Sequence, residues 1–169
     1  LDSSAAKYMT NSNEFLAGQN EKFKIDLGER QKKIEIVTEL VEKGSTARVL
    51  NFKSQALDDP KLMDSAINTI GTIAEPISEL KKITRAEDDI KRIDATESGA
   101  KNYQNAMRQF LAEYKKGSMA STSILNKFRG DMDKNAGIYV KNCDEFLNGQ
   151  QEKLTTDMLE RQSKITIVN

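Results

Sequence analysis

Along most of this chain, apolar residues return at alternating steps of three and four, the spacing of one helix face. Between residues 4 and 57 one seam reads Met9, Asn13, Leu16, Asn20, Phe23, Leu27, Arg30, Ile34, Val37, Val41, Gly44, Arg48, Asn51 and Gln55. It is apolar in its middle and punctuated by polar residues. Asp58-Asp59-Pro60 is expected to stop this helix: an Asp caps the next one, and Pro60 sits in a first turn, where its missing N–H costs nothing. A second helix is predicted over 60–83, with the seam Met63, Ala66, Ile70, Ile73, Ile77 and Leu80 and a kink at Pro76. A third is predicted from the acidic stretch Glu87-Asp88-Asp89, which suits a helix N-terminus, to Lys116, with Gly117 closing it. Its seam is Ile93, Thr96, Ala100, Tyr103, Met107, Phe110 and Tyr114. A fourth is predicted from Ser118 to Asn169, and its apolar positions include Phe128, Met132, Tyr139, Phe146, Leu154, Met158, Ile165 and Val168. The predicted fold is all-α: an up-down-up-down four-helix bundle of two long and two shorter helices, one domain over 1–169.

The long helices are built alike. Residues 14–37, EFLAGQNEKFKIDLGERQKKIEIV, return at an offset of 131 as EFLNGQQEKLTTDMLERQSKITIV over 145–168. Residues 1–38 and 132–169 share 19 identities in 38 aligned positions, so they are copies of one repeat. The chain therefore reads as one period plus the opening of a second, a piece of a longer protein. Near the chain termini the two long helices would have only each other. Residues 1–30 and 145–169 are then expected to need cover from a second subunit or from the rest of the parent chain.

Composition narrows the chemistry. The formal charge is zero, from 26 basic and 26 acidic residues, and no Lys/Arg block interrupts the pattern, which argues against nucleic acid as a partner. No apolar run approaches the roughly 20 residues that span a bilayer. Histidine is absent and Cys143 is the one cysteine, so the chain lacks the usual general base, an intramolecular disulfide and a cysteine-rich metal site. No nucleophile–base motif, phosphate loop or metal-ligand spacing is found, and no catalytic residue, metal or cofactor is assigned. Asp131 and Asp133 lack the glycine and glutamate of a calcium loop.

The polar seam residues are the remaining candidates. Arg48 and Asn51 of the first helix and Tyr103 of the third are expected to converge inside the bundle. A buried, unpaired guanidinium is costly. Two readings stand: Arg48 binds a small carboxylate ligand bidentately, or it leans to solvent or pairs with an acid on another helix. Arg30 and Arg161 are equivalent positions in the two copies. Each follows an Asp by four residues, Asp26 and Asp157, which is the spacing of an intrahelical ion pair. They form either a register-fixing polar layer or a second anion site. Gly18-Gln19 and Gly149-Gln150 also recur. A glycine kept inside a helix suggests a close helix approach or a bend.

The stretches ARVLNFKSQALDDPKLMDSAINTI, SELKKITRAEDDIKRIDATESGAKNYQNAMRQFLAEYKK and MDKNAGIYVKNCDEFLNGQQEKL together resemble the helical bimodular, four-helix-bundle sensor domains of bacterial methyl-accepting chemotaxis proteins, over about residues 45–160. NYQNAM, with Tyr103, and the Gln-rich late helix are the most suggestive pieces. The resemblance implies a periplasmic domain of a membrane-anchored inner-membrane receptor. It implies a homodimer that binds a small organic acid between helices and passes a helix shift inward. Sensor histidine kinases carry similar domains, so a ligand-free module that dimerises or docks a protein partner is the alternative. In the family the late helix runs toward a membrane span, whereas here it leads into a second copy of the repeat.

Overall fold

The computed structural model describes residues 2–168, with side chains described from 3 to 163. Ile165 and Val168, expected on the last seam, lie outside the described side chains. The described residues form α-helices and one short 3-10 turn, with no strand among them. The fold is all-helical: α1 (Asp2–Leu57), α2 (Pro60–Gly71), α3 (Ala74–Ile83), α4 (Glu87–Tyr114) and α5 (Thr122–Val168).

The α1–α2 corner follows from three adjacent residues. Asp58 takes a left-handed backbone with φ of 58°, a conformation that Asp tolerates better than most side chains. Asp59 is extended, and its carboxylate accepts the Lys61 N–H at 2.9 Å. Pro60 opens α2. The Ser54 hydroxyl donates to the Asp59 carbonyl at 2.8 Å, and the Tyr114 hydroxyl donates to the Asp58 carboxylate. The corner is thereby fastened to both α1 and the end of α4.

Residues 60–83 depart from the expected kinked helix. They form two helices, α2 and α3, separated at Thr72-Ile73, and Pro76 is the third residue of α3. Proline forfeits the bond to the carbonyl four residues back and its ring crowds that group. For Pro76 that residue is Thr72, so the break falls a turn upstream of the proline, whose own position in a first turn needs no N–H. The seam expected here is nonetheless buried throughout: Met63, Ala66, Ile70, Ile73, Ile77 and Leu80. At the other end, α4 stops at Tyr114, two residues before the expected Lys116. Gly117 then adopts φ of 58° in a 3-10 turn, and α5 begins at Thr122 rather than near Ser118. Ser121 caps α5, its hydroxyl accepting the Ile124 N–H at 3.4 Å.

Three stripes meet in the core. They are Val37, Leu40, Gly44, Ala47, Asn51 and Ser54 of α1; Ile93, Thr96, Ala100, Tyr103, Met107 and Phe110 of α4; and Met132, Ala136, Tyr139, Cys143, Phe146 and Gln150 of α5. The α1 stripe shares Val37, Gly44 and Asn51 with the expected seam, but takes Leu40, Ala47 and Ser54 in place of Val41, Arg48 and Gln55. The cause is close packing. The Tyr139 ring crosses α1 at Gly44, where an added Cβ would sit 2.2 Å from a ring carbon. At Gly99, a Cβ would sit 3.0 Å from the Tyr139 backbone nitrogen. The tight approaches are therefore at Gly44 and Gly99. The recurring Gly18 and Gly149, expected to mark such contacts, have nothing within 4 Å of an added Cβ. Toward the chain termini the core ends: Tyr8, Met9, Phe15, Leu16 and Ile25 of α1 and Met158 and Leu159 of α5 are exposed.

Candidate functional site: polar layers between the helices

The residues singled out in the sequence are divided by the fold. Asn51 and Tyr103 are buried together, and the Asn51 amide donates to the Tyr103 hydroxyl oxygen at 3.1 Å. Arg48 does not join them: it is exposed, one position past the buried Ala47. The expected convergence of all three inside the bundle is corrected on this point. The buried stripe keeps the seven-residue spacing but takes Ala47 between Gly44 and Asn51, because of two adjacent candidates the small side chain packs inward while the charged one reaches water. Arg48 remains near enough for its charge to act on the phenol. Burial pushes the Tyr103 hydroxyl up to about 12, against the opposing effects of the Asn51 hydrogen bond and the Arg48 charge. At neutral pH Tyr103 is thus a protonated hydroxyl and no base.

The layer extends through residues the sequence reading left out of it. The Gln55 amide donates to the Asn51 carbonyl at 2.8 Å, and Arg129 Nε donates to the Gln55 carbonyl at 2.8 Å. Arg129 Nη1 reaches Asn126 at 2.8 Å, and its guanidinium lies 5.2 Å from the centre of the Phe110 ring. Tyr103, Asn51, Gln55 and Arg129 thus tie α4, α1 and α5 together. Gln55 stood on the α1 seam, and that position was the available signal. Arg129 carried none, because its partner is 74 residues away.

A second layer was missed. Asp89 was read only as a favourable charge near a helix N-terminus, yet it is buried. One carboxylate oxygen accepts Arg92 at 3.1 Å; the other accepts the Gln150 amide at 2.9 Å and Lys153 at 3.0 Å. Buried carboxylates require such donors. The signal for this layer was the recurrence of Gln19 and Lys22 as Gln150 and Lys153. Beside it is an open cleft of about 450 Å³ lined by Glu87, Asp88, Arg92, Glu152 and Lys153.

The Arg/Asp pairs of the repeat are joined across helices. Arg30 meets Asp157 at 2.7 Å, one residue from each copy. Arg161 donates to Asn20 at 3.0 Å and lies 4.3 Å from the centre of the Phe23 ring, while Asp26 is exposed. The expected intrahelical pairs, Asp26 with Arg30 and Asp157 with Arg161, give way to a register lock between α1 and α5. One nitrogen of Arg30, Nη1, is buried without a partner. Cys143 is buried with its sulfur 4.0 Å from the Thr96 hydroxyl, and burial pushes the thiol up to about 11, which makes it unreactive. The apolar void beside it, about 10 Å³, has room for one water at most.

Among the described residues, no group of His, Cys, Asp and Glu could hold a metal ion, and no helix is long and apolar enough to cross a membrane. No protein-family model, curated protein or solved structure matches the chain.

Proposed function

We propose that the chain is the periplasmic sensing domain of a membrane-anchored bacterial receptor of the chemoreceptor type, acting as a homodimer and without catalysis. We read its architecture as an up-down-up-down four-helix bundle in which α2 and α3 together serve as the second helix. Residue pairs support that reading. Lys43 bonds Thr72 and Lys32 pairs with Glu79; Arg129 bonds Gln55 and Asp157 pairs with Arg30; Gln150 bonds Asp89 and Ser121 bonds Glu113. In each set, residue numbers rise in one helix as they fall in its neighbour.

The observation that carries the functional reading is the polar layer Tyr103–Asn51–Gln55–Arg129, which fixes the relative height of three helices inside an apolar core. Such a layer has few satisfied arrangements, so a shift of one helix exchanges one set of bonds for another instead of sliding continuously. The input is a small organic anion that draws Arg48 inward and takes over hydrogen bonds of Asn51 and Tyr103. Thermal shift against a panel of mono- and dicarboxylic acids tests this. A ligand at a hundred times its Kd adds about 2.7 kcal/mol, roughly 5–10 °C for a chain of this size, and Arg48→Ala should remove the response. If no acid raises the melting point, or if Arg48→Ala keeps the shift, the anion input is wrong.

The Asn51–Tyr103 bond itself favours a second reading. These groups already satisfy one another, as they would in a ligand-free dimerisation or docking module of a sensor histidine kinase. Retention of a protein partner by a chain that answers no acid would select it.

A further inference from the structure

The two copies of the repeat share a sequence but not an environment. In α5, Tyr139 and Phe146 are 1% and 2% exposed; their equivalents in α1, Tyr8 and Phe15, are 74% and 66% exposed. The α5 copy lies in a groove between α1 and α4, and each of its contacts is specific. The Tyr139 hydroxyl donates to the Leu40 carbonyl, and its ring crosses α1 at Gly44. Cys143 faces Thr96, and Gln150 and Lys153 bond the buried Asp89. Residues 1–38 keep this docking set almost unchanged: Tyr8, Phe15, Gln19 and Lys22 are identical to Tyr139, Phe146, Gln150 and Lys153, and Ser12 stands for Cys143. In this chain Tyr8, Phe15, Gln19 and Lys22 are exposed. Helix packing alone would accept any apolar residue at Tyr8 and Phe15, and nothing about a solvated helix calls for Gln19 and Lys22 one turn apart on that face.

The converse holds at the other end. Leu27 is half-buried where α1 enters its own core, while its equivalent in α5, Met158, is exposed. One repeat therefore carries two faces. Its first half fits the α1/α4 groove of one unit, and its second half begins the α1 core stripe of another.

We propose that residues 5–22 of α1 are a docking helix for a second copy of this unit, seated in that copy's α1/α4 groove as α5 is seated here. The units would then stack in tandem, each long helix closing one bundle and opening the next. Tyr8 would reach the neighbouring Leu40 carbonyl beside Gly44, and Gln19 and Lys22 would bond the neighbouring Asp89.

The test places a second copy of residues 1–131 directly ahead of Leu1, which continues the repeat in register, and compares it with the 169-residue chain. The paired substitution Tyr8→Ala/Phe15→Ala, made in the junction copy, should lower the melting temperature of the extended chain by roughly 10 °C and leave that of the 169-residue chain unchanged. A thiol reports independently of stability. In a Cys143→Ser background, Ser12→Cys at the junction should label as slowly as Cys143 does in the unaltered chain, and at once in the 169-residue chain. Rapid labelling in both chains, or a melting point of the extended chain indifferent to the paired substitution, overturns the proposal. So does concentration-dependent self-association of the 169-residue chain that the paired substitution abolishes. In that case the face meets its like in another molecule, not the groove.

Discussion

Gly44 is the residue on which the closest helix contact depends. The Tyr139 ring lies where its side chain would be, and that ring is held by the Leu40 carbonyl. Alanine there forces a buried aromatic out of position, and overpacking of this kind typically costs about 1–3 kcal/mol. Gly18 has the same residue type and open space around it, so Gly18→Ala should stabilise α1 by up to about 1 kcal/mol, the helix-propensity difference. Urea denaturation of the two variants should therefore move the midpoint in opposite directions. Equal effects would mean that Tyr139 does not fill the space at Gly44. The pair also shows what a sequence hides at this scale. Gly18 was the more conspicuous glycine because it recurs at Gly149, whereas the importance of Gly44 depends on a tyrosine 95 residues away.

The elements were the most legible level, because their boundaries depend on local chemistry. Asp59 and Pro60 set the start of α2 as a capping side chain and a residue without an N–H should. Asp59→Ala should cost about 1 kcal/mol, seen as a lower unfolding midpoint. Asp59→Asn, which can accept the same Lys61 N–H, should recover most of it; no difference between the two would show that the cap is idle. The seams Met63 to Leu80 and Ile93 to Phe110 were also readable, since apolar residues at steps of three and four mark the buried face directly and every position of both is buried. α1 was harder because its expected seam and its buried stripe share Val37, Gly44 and Asn51 and differ only in which neighbour lies between them. Steps of four then three and of three then four have the same period, so periodicity alone gave Arg48 where the structure buries Ala47. The break before Pro76 was displaced for a different reason: a proline acts on the carbonyl of the preceding turn. The layers that tie helices together were the least legible. Asn51–Tyr103 was foreseen as a convergence, but Asp89, Gln150 and Arg129 needed partners that no local pattern reveals.

At the scale of the whole molecule, the Cys143 thiol and the Tyr103 and Tyr139 hydroxyls are buried and held neutral, and this sets how the bundle answers alkaline pH. Burial raises the Cys143 thiol from 9.0 to about 11 and the Tyr103 hydroxyl from 10.0 to about 12; it raises Tyr139 as well. A folded-state pKa above the unfolded value means that the folded chain binds the proton more tightly. The associated stability is complete below about pH 9 and is lost as pH rises toward the folded values. Two pKa units correspond to roughly 3 kcal/mol, so full ionisation of Cys143 and Tyr103 would remove an amount comparable with the lower end of a single domain's stability. The losses begin in order: Cys143 from about pH 9, then the tyrosines from about pH 10. Cys143→Ser should lower stability at pH 8 by removing a packed sulfur, yet flatten the curve between pH 9 and 10. Above pH 10 its slope should match that of the unaltered chain. Urea midpoints from pH 8 to 11 for the two chains check this. If both fall with the same slope between pH 9 and 10, Cys143 is not the group whose buried neutrality the fold maintains, and the contact of its sulfur with Thr96 is open to water.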